Sequence, residues 1–278
     1  MSAVPDLPLP EGVTARAVEV HGGPLAVLEA SADAPTATVL LVPGFTGSKE
    51  DFRFLLLPLA AAGLRVVAVD QRGQHDSPGP DDPEAYSVHA LAADLLALVA
   101  ALGDGPVHLV GHSFGGLVSR AAVLKEPSSF RSLVLMDSGP SALGGPRAEV
   151  LPLMKQLLDE EGLAAVWEAA QSLPTAKPQP PEVLAFLQKR FMAGPAAALH
   201  GMGDALVSEP DRVEELRATG LPTLVVFGEG DDAWSPSVQR EMADRLGCPV
   251  VVVPESVHSP AVENPEVTVD ALLRFWHA

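Results

Sequence analysis

Residues Pro106 to Gly116, Pro-Val-His-Leu-Val-Gly-His-Ser-Phe-Gly-Gly, constrain this chain more than any other stretch. The apolar residues Val107, Leu109 and Val110 run into Gly111-His112-Ser113-Phe114-Gly115, and past the turn Leu117, Ala121 and Leu124 share one helical face. The pattern predicts a strand, a sharp turn and a helix. A turn this tight strains its central residue and needs glycine on both sides for room. It lifts the Ser113 hydroxyl above the sheet at a helix N-terminus, as a nucleophile elbow does.

The chain has the means to build a sheet around that turn. At 278 residues and 47% hydrophobic content, it can bury a large core as one α/β domain or as a domain carrying an insertion. No apolar run reaches membrane-spanning length, because Pro58 and Gly63 interrupt the longest candidate, Phe54 to Leu64. Met1 to Gly12 has acidic residues, no basic residue and several prolines, which argues against a secretory signal. The single cysteine, Cys248, excludes an intrachain disulfide and reads as a small buried residue before a strand, compatible with a reducing, cytoplasmic compartment. A formal charge of -18 argues against nucleic acid as a partner, since phosphate binding needs a basic face.

Taken in order, residues 14–20 and 25–30 read as short strands around His21-Gly22-Gly23-Pro24. Val39 to Val42 is an apolar run without alternation, the mark of a strand covered on both faces. A helix over about 50–62 and a strand at 66–69 follow. Leu91, Leu95, Leu98 and Leu102 then recur at helical spacing behind Ser87, a suitable N-cap. After the elbow come strands at 133–136, 224–227 and 250–253, with Ser235-Pro236 and Asn264-Pro265 opening the last helices. Alternating strands and helices predict an α/β fold with a mostly parallel sheet, eight strands in all. The rhythm breaks between residues 139 and 220, where only helical patterns occur, near 148–160, 162–171, 181–192 and 211–218, around a Pro/Gln-rich stretch at 174–181. A crossover needs only about a dozen or more residues. The expected division is therefore a core of residues 1–138 and 221–278 with a helical lid, 139–220, inserted after the sixth strand.

A serine needs a base to act as a nucleophile, and the base needs an orienting acid. His258 is the histidine that follows the final strand, while His108 reads as a strand residue and His112 as a neighbour of the elbow. The other five, His21, His75, His89, His200 and His277, read as solvent-facing or structural. Among the acids that follow strands, Asp137, Asp231 and Asp232 are the candidates. Loops after parallel strands share one sheet edge, so these residues can converge on Ser113. Neither a metal-ligand spacing nor a Gly-x-Gly-x-x-Gly phrase is present, so neither a metal nor another cofactor is expected.

The elbow, the loop Pro43-Gly44-Phe45 and the run Asp70-x-Arg72-Gly73-x-x-x-Ser77 resemble motifs of the alpha/beta-hydrolase superfamily, and the order Ser113, Asp231, His258 is the one that superfamily shows. The run Gly228-x-x-Asp231-x-Ala233-x-x-Pro236 is similar to the acid loop of enol-lactonase-like members, and this register selects Asp231. Asp137 stands where some members carry the acid instead, and Asp232 is then solvent-facing or bonded within its turn. By the same resemblance Phe114 and Phe45 supply the backbone N–H groups of an oxyanion hole. Pro43 replaces the histidine of many relatives, which puts the hydrogen bonding of that loop in question, and Gln74-His75 replace a smaller pair in the Asp-x-Arg-Gly loop, whose role is mostly structural.

The resemblance implies hydrolysis of a small-molecule ester, lactone or thioester through an acyl-enzyme. Serine stands where dehalogenases and most epoxide hydrolases of this fold have aspartate. Carbon–carbon bond hydrolysis, cofactor-free perhydrolysis and lyase chemistry use the same three residues in relatives, and a slow-turnover ligand-sensing receptor is the non-enzymatic alternative.

Overall fold

A computed structural model describes residues 8–172 and 178–277. Residues 1–7, most of the segment read as lacking a secretory signal, and residues 174–177 of the Pro/Gln-rich stretch lie outside the described residues. The first half of the chain comprises β1 (Thr14–Val20), β2 (Gly23–Ser31), β3 (Ala37–Val42), α1 (Arg53–Ala61), β4 (Leu64–Val69), α2 (Val88–Leu102), β5 (Val107–His112), α3 (Phe114–Lys125) and β6 (Phe130–Met136). Five helices follow: α4 (Gly145–Glu161), α5 (Leu163–Gln171), α6 (Pro181–Ala193), α7 (Ala196–Ser208) and α8 (Val213–Ala218). The chain returns to the sheet with β7 (Thr223–Gly228), α9 (Pro236–Leu246) and β8 (Val250–Val253), and ends with α10 (Pro260–Glu263) and α11 (Pro265–Trp276).

The eight strands lie in the order β1-β2-β4-β3-β5-β6-β7-β8. β2 pairs antiparallel with β1 and β4, and every other pairing is parallel. This is the mostly parallel eight-stranded sheet expected from the sequence. Its strands lack polar alternation because both faces are covered. In β3, Leu40 and Val42 join the core beneath α2, α3 and α9, with Leu95, Leu117 and Met242. Val39 and Leu41 join the opposite core, with Leu56 of α1 and Leu272 of α11. Each buried leucine contributes roughly 1.5–3 kcal/mol relative to exposure.

The chain leaves β3 to one side, for β4, and comes back to its other side, for β5. Such a reversal opens a crevice at the carboxyl ends of the two strands. The loop after β3 and the turn after β5 meet at that crevice. Ser113 sits in the turn at φ 54° and ψ -122°, a sparsely populated conformation for any side-chain-bearing residue. Two glycines make the turn possible by close approach. A Cβ on Gly111 would lie 2.5 Å from the Gly115 carbonyl oxygen, and one on Gly115 would lie 2.4 Å from that of Pro43. The Ser113 N–H donates to the Met136 carbonyl at 2.8 Å, which continues the β5–β6 pairing into the turn.

Helices α4 to α8 fill the stretch between β6 and β7. The residue pattern predicted four of them. It missed α7, whose Ala-Ala-Ala-Leu-His-Gly-Met-Gly-Asp sequence carries two glycines that disfavour a helix. Packing overrides that preference, since a Cβ on Gly201 would stand 2.1 Å from the Pro83 carbonyl oxygen. Leu158, Val166 and Leu199 form a small separate core with Met154 and Phe191, and Phe45 from the loop after β3 packs into it. The two ends of the stretch that holds α4 to α7 pair through backbone bonds, Ala142 N–H to Glu209 C=O and Leu143 N–H to Leu206 C=O, both at 2.7 Å. Arg120 of α3 clamps both ends, donating to the carbonyls of Pro140 and Pro210 and to the Glu209 carboxylate.

Candidate active site

Ser113, His258 and Asp231 come from three separate loops and meet at one sheet edge. His258 Nδ1 lies 2.8 Å from Asp231 Oδ1 and His258 Nε2 lies 3.0 Å from Ser113 Oγ. Burial alone would favour a protonated Asp231, but the hydrogen bond and charge interaction with His258 outweigh it and hold the carboxyl below its usual range. The ionised carboxylate can only accept, so Nδ1 carries the proton and Nε2 is left to accept from the Ser113 hydroxyl.

Each partner is itself held. Asp231 Oδ1 also accepts from the Ala233 N–H at 2.9 Å, and Oδ2 accepts from the Gln239 side-chain amide at 2.6 Å. The loop carrying His258 is pinned from α10: the Glu263 carboxylate accepts from Ser256 Oγ, Val257 N and Ser259 N. His112 Nε2 donates to the His258 carbonyl at 2.6 Å. Burial, and then the neighbouring His258, push the His112 imidazole down to about 4, so it is neutral. The residue pattern singled out neither Gln239 nor Glu263. Their type and position resemble ordinary helix polar residues, and only the fold aims them at the loops.

The two alternative acids occupy different surroundings. Asp137 is fully buried beside Asp231, accepts from the Gly228 N–H at 3.0 Å, and is pushed up to about 9 by burial and by the Asp231 charge. Asp232 is 52% exposed and reaches Arg147 of α4. Of the three, Asp231 alone bonds His258 in the described residues.

The loop after β3 lies against the elbow, for a Cβ on Gly44 would stand 2.9 Å from Ser113 Cβ. Phe45 and Phe114 thus flank Ser113 from two directions, one on this loop and one at the first position of α3, where a backbone N–H has no partner within the helix. Next to Phe45 opens a narrow cleft, with Leu163, Phe191, Leu199 and Met202 on its apolar wall and His75 and Arg190 on its polar side. His75, expected at the surface or in a structural role, is buried on that wall.

The Asp70 to Ser77 loop is anchored by Lys49, whose ammonium donates to Asp70 and Asp76 at 2.7 Å. Burial works against that charge, but Asp70 and Glu50 outweigh it and hold the ammonium above its usual range. Although sequence spacing offers no metal motif, folding brings Glu50, His75 and Asp76 within 4.8 Å of one another, and likewise Asp137, Asp231 and His258. Lys49 ion-pairs both carboxylates of the first group. The second group is the hydrogen-bonded site itself. Burial pushes the Cys248 thiol up to about 11, in keeping with an inert small residue.

Known proteins share this architecture. A provisionally named 2-succinyl-6-hydroxy-2,4-cyclohexadiene-1-carboxylate synthase of Bacillus subtilis is 26% identical over 257 residues, 87% of this chain and 90% of that protein. Epoxide hydrolase A of Mycobacterium tuberculosis is 35% identical over 139 residues, 50% of this chain and 42% of that protein. Among solved structures, the enol-lactonase of Burkholderia xenovorans LB400 superposes with a TM-score of 0.80 at 22% identity, covering 95% of this chain and 100% of that one. An esterase from Exiguobacterium antarcticum superposes at 0.81 with 17% identity, covering 95% and 100%. No helix among the described residues is long and apolar enough to cross a membrane. The family model of the alpha/beta hydrolase family matches residues 39–271, so the chain belongs to that family and is an enzyme of the alpha/beta hydrolase fold.

Proposed function

We propose that the chain is a serine hydrolase that cleaves a carboxylic ester, lactone or thioester through an acyl-enzyme intermediate. The observation that supports this reading above all is the continuous line of bonds from Asp231 through His258 to Ser113 Oγ, 2.8 and 3.0 Å long. Ser113 Oγ attacks the substrate carbonyl carbon while its proton passes to His258 Nε2. The carbonyl electron pair becomes an oxyanion, which accepts from the Phe45 and Phe114 N–H groups, and the Asp231 charge steadies the imidazolium. Collapse reforms the carbonyl and breaks the bond to the leaving group, which takes the proton from Nε2. Water, giving its proton to His258, then attacks the acyl-enzyme, and the carboxylic acid leaves as Ser113 regains its hydrogen.

Helices α4 to α7 act in this reading as a lid over the site, while α8 packs on α3 and α9 in the core, and the apolar wall of the cleft favours an apolar acyl or leaving group. The superposing structures include an enol-lactonase and an esterase, in agreement with this reading. The test is multiple-turnover hydrolysis of a panel of short acyl esters by the wild type and Ser113→Ala, with a serine-directed phosphonate and mass spectrometry. The reading expects turnover lost in the variant and the adduct on Ser113. Equal, slow hydrolysis by both proteins would support a receptor instead, and an adduct elsewhere would refute the nucleophile.

A further inference from the structure

The loop that carries Phe45 is held by side chains that the family resemblance does not assign. The Gln74 amide nitrogen donates to the Gly44 carbonyl at 2.7 Å, and the Gln71 amide nitrogen donates to the Pro43 carbonyl at 2.9 Å. Both glutamines are buried. The orientation of the Gln74 amide is unambiguous, because its oxygen accepts from the Gln71 N–H at 3.1 Å, which leaves the nitrogen facing Gly44.

A peptide group is planar, and none among the described residues is cis. The Gly44 C=O and the Phe45 N–H therefore point in opposite directions, and whatever fixes the first aims the second. Gly44 also accepts from the Gly47 N–H at 3.1 Å, closing a four-residue turn. The third residue of that turn, Thr46, is at φ 57°, a conformation that a β-branched residue disfavours. The turn is thus strained and needs an external hold. On its other side Gly44 faces the Ser113 side chain.

We propose that Gln74 is a positioning residue of the oxyanion hole: its amide fixes the Gly44–Phe45 peptide so that the Phe45 N–H faces the oxygen that becomes negative, with Gln71 holding the preceding peptide in the same way. The inference rests on the Ser113, His258 and Asp231 reading and adds to it a residue that never touches the substrate.

The test compares the wild type with Gln74→Met, which keeps the bulk and removes the donor, and with Gln74→Glu, which keeps the shape. Readouts are kcat, KM, thermal midpoint and the inhibition constant of a trifluoromethyl ketone that mimics the tetrahedral adduct. For Gln74→Met we expect kcat to fall roughly tenfold or more, up to the about 100- to 1,000-fold that losing an oxyanion donor costs. KM should stay within about twofold, and the ketone should weaken by the same factor as kcat. In Gln74→Glu the donor returns only when the carboxyl is protonated, so the ratio of its kcat to that of the wild type should rise as pH falls; this variant also serves if the methionine protein does not fold. Wild-type kcat in Gln74→Met, a pH-independent ratio of kcat in Gln74→Glu to that of the wild type, or a loss of kcat with ketone affinity unchanged, would overturn the proposal. Failure of the underlying reading would show separately, as a wild type that neither hydrolyses esters nor is labelled at Ser113.

Discussion

Asp137 lies against Asp231 with a pair of carboxyl oxygens no more than 4.8 Å apart, yet the two titrate in opposite directions. Burial penalises ionisation of both. His258 outweighs that penalty at Asp231, whereas the charges acting on Asp137, those of Asp231 and Glu263, are both anionic. One negative charge thus occupies the pair, and it sits on the residue that bonds the imidazole.

The proposed acid role of Asp231 can be tested against this division. Asp231→Asn would reverse the hydrogen-bonding requirement at His258 Nδ1 and should lower kcat by roughly 10³- to 10⁴-fold. Asp137→Asn preserves a neutral group with an acceptor for Gly228, so its kcat should stay within about tenfold of the wild type. Asp232→Asn alters an exposed ion pair and should change kcat by less than about twofold. Steady-state kinetics on one ester decides, and a larger loss at Asp137 would transfer the role to it.

Asp137 also makes stability depend on pH. Its carboxyl moves from 3.8 to about 9 on folding, so between those values the native protein holds a proton that the unfolded chain has released. Rising pH therefore favours unfolding across that window. Asparagine has no such proton. The thermal midpoint of Asp137→Asn minus that of the wild type should be more positive near pH 8 than near pH 5 by calorimetry, and a pH-independent difference would contradict a protonated Asp137.

Arg120 and Glu209 form a pair whose side chains are only 1% and 8% exposed. Arg120→Met would leave a buried carboxylate without its counter-charge, at a cost of about 3–5 kcal/mol. Arg274→Met, at an ion pair on the protein surface, should cost less than about 1 kcal/mol. Urea unfolding measures both, and partial recovery in Arg120→Met with Glu209→Gln would confirm that the orphaned charge is the cause.

Gly115 tests the elbow. A Cβ there would press on the carbonyl oxygens of both Val42 and Pro43, which are backbone atoms and cannot swing aside. Gly115→Ala should destabilise by about 1–3 kcal/mol and, by shifting the Phe45 loop, lower kcat on the order of 100-fold. Gly144→Ala, where nothing lies within 4 Å, provides the control.

Read without the fold, the residues themselves determined a great deal. The apolar runs at β3 to β8, interrupted only by His108 in β5, declare a covered parallel sheet, and the glycines around Ser113 declare a turn too tight for side chains. The position of His258 and of three acids after strands follows from the same periodicity, because strand ends are marked by abrupt polarity. What the pattern could not resolve depends on contacts between distant segments. The acid-loop resemblance already selected Asp231, but the distance to His258 and the opposite surroundings of Asp231 and Asp137 are visible only in the fold. Recognising α7 needed the backbone of Pro83 against Gly201. Giving Gln74 a part in the site needed the Gly44 carbonyl 30 residues away in the chain and 2.7 Å away in space. Local sequence encodes which elements form, since periodicity and backbone sterics act over a few residues. Charge, proton position and the aim of a peptide group are set by neighbours that only the packed tertiary structure brings together.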